Sequence, residues 1–179
     1  MKRKHIVRTA LITFGILLIP LIAMQCTPEV VWTLSDFAVM GTLIMGTGLM
    51  YEFVASRANN TVYKVGVGLA VLASFLIVWI NLAVEIIGDD NPVNALYFGV
   101  VLIGIVGVFL SRLTPQGLSR TAFSMAIAQA LVPVVALFVS PLNFAPGVPQ
   151  VFMLNAFFVV LFLVSALLLR HVTKESVPS

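Results

Sequence analysis

The sequence predicts an all-α polytopic membrane protein: a single domain over 1–179 built as a bundle of six transmembrane helices, with both termini in the cytoplasm. Three observations carry this. Of the 179 residues, 60% are hydrophobic and only 9% charged, against about 25% charged in soluble domains, so the chain lacks the polar surface that a water-facing exterior needs. Six apolar runs each reach or approach the roughly 20 residues that cross a hydrocarbon core. All ten Lys and Arg residues fall on one side of a six-span threading, and the positive-inside rule makes that side cytoplasmic. A span too few or too many would scatter them onto both faces.

The first run, about 7–24, follows Lys2, Arg3 and Lys4 and takes in Arg8. A basic stretch ahead of an apolar one is also the pattern of a signal peptide. Here Ala23, Met24 and Gln25 precede Cys26 and fit neither a small-x-small cleavage site nor a lipoprotein signal. An uncleaved span is therefore expected, bent in its second half by Pro20. The second run, about 34–54, has Asp36 near its start and Glu52 near its end, with Gly41, Gly46 and Gly48 between them to let a neighbouring backbone come close. Glu52 is expected to pair at the interface with Arg57 or Lys64, its neighbours in sequence.

The loop between Arg57 and Lys64 leads into the third run, about 65–87, which ends in an acidic turn. The fourth run, about 95–111, is followed by Arg112 and Arg120 and then by the fifth, about 121–140, with Gln129 and Pro133 inside it. The connection 140–150 holds three prolines and no charge, which predicts an extended loop and not a helix. The sixth run, about 151–170, contains Asn155 and ends at Arg170, His171 and Lys174. The runs are continuously apolar, without the alternation of a membrane barrel, so helices must satisfy their backbones in lipid.

Composition also removes several function classes. The net charge of +3 resides in short loops and at the ends, not in a nucleic-acid-binding stripe. The single cysteine, Cys26, permits neither an intrachain disulfide nor a CxxC redox pair. His5 and His171 lie beside basic residues and not inside an apolar span where a haem ligand belongs. No cofactor is expected, and the G-x-S-x-G motif of a serine hydrolase is missing. Trp32, Trp79 and Tyr97 suit an outer aromatic belt, and Tyr51 and Tyr63 an inner one.

The outer face of the threading receives Glu29, Asp36, Glu85, Asp89 and Asp90 and no base. Most of that polarity lies in 79–94. Asn81 and Glu85 are four residues apart and share one face of the third helix, which Asp89 continues if the helix runs past Gly88. Intramembrane carboxylates are costly and face the bundle interior or water, usually with a partner. Two readings follow: a pocket for a cation or a small polar solute, with Glu85 as its ionisable member, or a hydrated Glu85 at the interface beside an Asn81 that bonds a neighbouring helix. Asp36, Asn94 and Asn155 stand at similar depth and extend the pocket in the first reading. In the second, Asp36 and Asn94 are helix N-caps. Gln129, near the middle of its span, reads as an interhelical hydrogen bond. Hard-cation ligation by Asp36, Glu85, Asp89 and Asp90 is chemically feasible, although Asp89, Asp90 and Asn91 lack the spacing of an EF-hand loop.

The turn Ile86, Ile87, Gly88, Asp89, Asp90, Asn91, Pro92, Val93 and Asn94 resembles one found in a group of small bacterial inner-membrane proteins. The resemblance covers the third and fourth spans and implies a bacterial inner membrane and a fold of several spans, with no activity attached. The leading expectation is an outward-facing polar pocket (Glu85, Asn81, Asp36 and Asn155) for transport or binding of a small solute or cation, in lipid and with a second copy of the chain to supply more material. The competing expectation is a non-transporting accessory, assembly or scaffold protein that docks a membrane partner through the outer turn, Asp89, Asp90, Asn91 and Asn94 included.

Overall fold

Six helices form in the computed structural model, which describes residues 3–88, 91–139 and 147–175: α1 (Arg3–Cys26), α2 (Leu34–Ala55), α3 (Thr61–Val84), α4 (Ala95–Leu110), α5 (Pro115–Val139) and α6 (Val148–Glu175). A single 3-10 turn, Pro92–Asn94, precedes α4. Each of the six, α4 taken together with that turn, is long and apolar enough to cross a membrane, and no strand forms among the described residues. Several helices outrun their apolar runs because backbone hydrogen bonding continues past the edge of the apolar stretch. α5 starts at Pro115, six residues earlier than the hydropathy suggests: the ring suits a first helical turn, and the Thr114 hydroxyl accepts from Gly117 N at 3.2 Å. α6 starts at Val148, so 148–150 are helical where an extended loop is predicted; Gly147 is not helical, and 140–146 lie outside the described residues.

Helix starts are built from side chains that replace missing backbone partners. At α2, Thr33 N donates to Asp36 Oδ2 at 2.7 Å and Asp36 N donates to Thr33 Oγ1 at 3.3 Å, a reciprocal capping box. At α3, Asn60 Oδ1 accepts from Tyr63 N at 3.1 Å.

The chain divides into two units, Met1–Phe53 and Val54–Ser179. In the first, α1 and α2 run antiparallel, with contacts stepping down both helices. His5 Nδ1 lies 2.6 Å from Glu52 Oε2; Thr9 reaches Gly48 so closely that a Cβ there would sit 2.6 Å from Thr9 Cγ2; Thr13 Oγ1 stands 3.9 Å from Met45 Sδ; and a Cβ at Gly41 would meet Leu17 at 3.3 Å. Gly48 is thus where the backbones need a missing side chain. Glu52 also pairs with Arg8. Glu52 thus finds partners on α1, because the hairpin brings residues more than forty positions apart to the same level.

In the second unit α3, α4, α5 and α6 pack in ring order, and α6 closes back on α3. One end is tied by Ser165 Oγ to Gly66 O at 2.7 Å, Ser119 Oγ to Ala166 O at 2.7 Å and Tyr63 OH to Leu113 O at 3.2 Å. Between the ends the core is mainly apolar, with Ile77, Tyr97, Phe158 and Phe162 fully buried. Ile86, Ile87 and Val93 belong to the same core. The described parts of the connection between α3 and α4 therefore turn inward at 86–88 and at Asn91, Val93 and Asn94, while Pro92 stays exposed.

Candidate functional site

The inward turn sets the geometry at the other end of the second unit. α3 stops at Val84, so Glu85 is its C-cap, with φ 44 and ψ 109. The reading that places Asn81 and Glu85 on one helical face is corrected accordingly. The helix ends short of Glu85, and the positive φ, rare for a residue with a Cβ, swings the chain toward the bundle axis. Gly88, at φ 70, makes a second left-handed step that glycine accepts without steric cost.

A polar segment folded into a core must satisfy its own backbone, and Asn94 does this. Its Oδ1 accepts from Ile87 N at 3.0 Å, and its Nδ2 donates to Gly88 O at 3.0 Å and to Glu85 Oε2 at 3.3 Å. Asn94 O accepts from Asn81 Nδ2 at 3.3 Å. Asn94 holds the N-cap position of α4 but makes no side-chain cap bond: the carboxamide is committed to the turn behind it. Asn91 supplies the local cap, accepting from Val93 N at 3.0 Å. Asn81, Asn91 and Asn94 are buried, whereas Glu85 keeps intermediate exposure.

A second cluster joins three helices. Gln129 Nε2 donates to Asn155 Oδ1 at 2.8 Å, Asn155 Nδ2 donates to Val151 O at 2.8 Å, and Tyr97 OH lies 3.0 Å from Asn155 Nδ2 and 3.2 Å from its Oδ1. Gln129 is 0% and Asn155 2% exposed. Gln129 is thus the interhelical bond its position predicted. Tyr97 is a member that sequence reading assigned instead to the aromatic belt; it is fully buried, as is Tyr63, while Trp79 stays 42% exposed. The available signal was the three-residue spacing from Asn94, which puts Tyr97 on the same side of the chain as a committed polar group.

Of the proposed pocket residues, the fold brings Asn81 and Glu85 together through Asn94. Asn155 belongs to the neighbouring cluster, bonded to Gln129 and Tyr97. Asp36 lies in the first unit, exposed, with its carboxylate engaged by Thr33 N and, at 2.8 Å, by Thr33 Oγ1. Asp89 and Asp90 fall outside the described residues. Among the described residues no group of three or more His, Cys, Asp or Glu side chains gathers to hold a metal. Among the described residues three buried side-chain polar atoms have no hydrogen-bond partner: Asn81 Oδ1, Asn91 Nδ2 and Gln129 Oε1.

Six membrane-length helices with two polar clusters inside an apolar core define a multi-pass α-helical membrane protein. No protein family, characterised protein or solved structure matches the chain.

Proposed function

We propose that the chain is a non-transporting scaffold or accessory protein of the bacterial inner membrane that presents its 88–94 turn, on a fixed frame, to a membrane partner or a second copy of itself. One observation carries the reading. The Asn94 carboxamide is bonded to Ile87 N, Gly88 O and Glu85 Oε2, so the polar groups that a transport site would need are engaged in holding the turn. Glu85, the ionisable member, is bonded within that same turn. A segment held this way and anchored by Ile86, Ile87 and Val93 suits presentation of a shape better than passage of a solute.

The test combines flux and contact. Purified protein in proteoliposomes, challenged with gradients of a panel of ions and small solutes, is expected to match empty vesicles. A photo-crosslinking residue at exposed Pro92 is expected to capture a discrete membrane partner in cells, and Asn94→Ala to abolish that capture. Flux that Glu85→Gln removes would overturn the proposal. It would favour a second reading, binding or transport of a small polar solute or cation, which the unpartnered Asn81 Oδ1 and Gln129 Oε1 support, since buried acceptors call for a donor or a cation.

A further inference from the structure

The end of the second unit opposite the 85–94 turn holds a cavity of about 390 Å³ between α5 and α6. Its cations are Arg120 from α5 and Arg170 and Lys174 from α6, and Gln116, Ser119, Phe123 and Thr173 complete a mostly apolar wall, the Ser119 and Thr173 hydroxyls being bonded to Ala166 O and Leu169 O. Among the described residues no acidic side chain lines it and none of these three cations has an ion pair. Arg120, Arg170 and Lys174 are all exposed, and three like charges around one cavity attract an anion to it, an effect that salt screens. The first turn of α5 adds the positive end of a helix dipole.

Arg120 also lines a second concavity, of about 530 Å³, between α4 and α5. This one is an apolar groove. Gly99, Ile103, Val106 and Leu110 lie along one face of α4, and Gly99 opens it, since a Cβ there would meet nothing within 4 Å. From Gly99 to Leu110 the helix rises about 16 Å, close to the roughly 15 Å of hydrocarbon in one leaflet. A cationic cavity at the headgroup level therefore shares a residue with a groove one acyl chain long.

We infer that these two concavities form a binding site for an anionic phospholipid, its phosphate between Arg120, Arg170 and Lys174 and one acyl chain along the glycine-opened face of α4. Basic pockets between transmembrane helices take such headgroups, and each basic residue strengthens the attraction about fivefold. Both parts are needed for selectivity: the cavity distinguishes anionic from zwitterionic headgroups, and the groove distinguishes a lipid from a free phosphate.

The experiment uses the full chain in a non-ionic detergent, with bound lipid counted by native mass spectrometry during titration with dioleoyl phosphatidylglycerol, dioleoyl phosphatidylcholine or inorganic phosphate. Phosphatidylglycerol is expected to be retained selectively. The triple variant Arg120→Gln, Arg170→Gln, Lys174→Gln should weaken it by on the order of 100-fold, and Gly99→Leu should weaken it with every charge in place. Exchanging Arg for Lys and Lys for Arg at the three cavity positions should preserve headgroup selectivity and shows that loss in the Gln variant is not misfolding. Lys64→Gln, a charge outside the cavity, should change nothing. Equal retention of the two lipids by the native chain, or undiminished phosphatidylglycerol binding in a folded triple Gln variant, overturns the inference. So does phosphate binding as tight as the lipid's, which would make this a free-anion site.

Discussion

Replacing Asn94 by Ala is the sharpest perturbation of the turn, because it removes one acceptor and two donated bonds at once. Ile87 N loses the acceptor it holds at 3.0 Å, in a residue that is 0% exposed, so no water replaces it. A buried, unsatisfied donor costs about 1–3 kcal/mol. The bond to Gly88 O at 3.0 Å contributes a further ~1 kcal/mol, and the longer one to the half-exposed Glu85 at 3.3 Å contributes less. The sum is about 2–4 kcal/mol. For a chain of this size that corresponds to a fall in Tm on the order of 10 °C. Thermal unfolding of the purified protein in detergent measures it, and amide hydrogen exchange at Ile87 localises it, with exchange expected to accelerate well over tenfold. An unchanged Tm together with an Ile87 amide as protected as in the native chain would refute the reasoning, since the turn would then be held by apolar packing alone.

Other changes separate the remaining contributions. Asn155→Leu strands both Gln129 Nε2 and Tyr97 OH and should cost about 2–3 kcal/mol in equilibrium unfolding, whereas Gln129→Leu also removes an unpartnered acceptor and should stay within about 1 kcal/mol of native. Gly48→Ala meets Thr9 Cγ2 at 2.6 Å and should destabilise the α1–α2 pair by about 1–3 kcal/mol, while Gly46→Ala, with nothing within 4 Å, should be neutral or slightly stabilising; unfolding midpoints of the two variants compare them directly. A double-mutant cycle on Arg8 and Glu52 should give a coupling of about 1 kcal/mol or less, as Arg8 is largely exposed. In a Cys26→Ser background, an impermeant maleimide added outside intact cells should label Pro92→Cys and not Gln116→Cys; the reverse pattern would invert the expected sidedness.

The helices were legible because lipid imposes one requirement everywhere. Every backbone group in an apolar run must bond within that run, so length and hydropathy suffice to find α1 to α6. Gln129 was legible for a related reason, as an amide in mid-span has few partners other than another helix. The turn was not legible. Nothing in Ile86, Ile87 and Val93 distinguishes a surface loop between two spans from a plug folded into the bundle, because an apolar residue near a membrane boundary has three places to go: lipid, the headgroup region or the core. The α1 partners of Glu52 were not legible for a comparable reason: only the register of the α1–α2 hairpin brings His5 and Arg8 to its level.

The sequence by itself determined that this protein is a set of membrane-length helices, since 9% charged residues exclude a water-facing exterior and continuous apolar runs exclude the alternation of a barrel. Which polar residues meet was decided by the tertiary structure alone. Asn81 and Glu85 share the last backbone bond of α3, Glu85 N to Asn81 O at 3.3 Å, but their side chains are linked through Asn94, which reaches back across the turn. Asn155 goes to Tyr97 and Gln129 because α4, α5 and α6 bring them to one level. Hydrogen bonds at about 3 Å depend on the packing of whole helices, and that packing depends on side chains far apart in sequence.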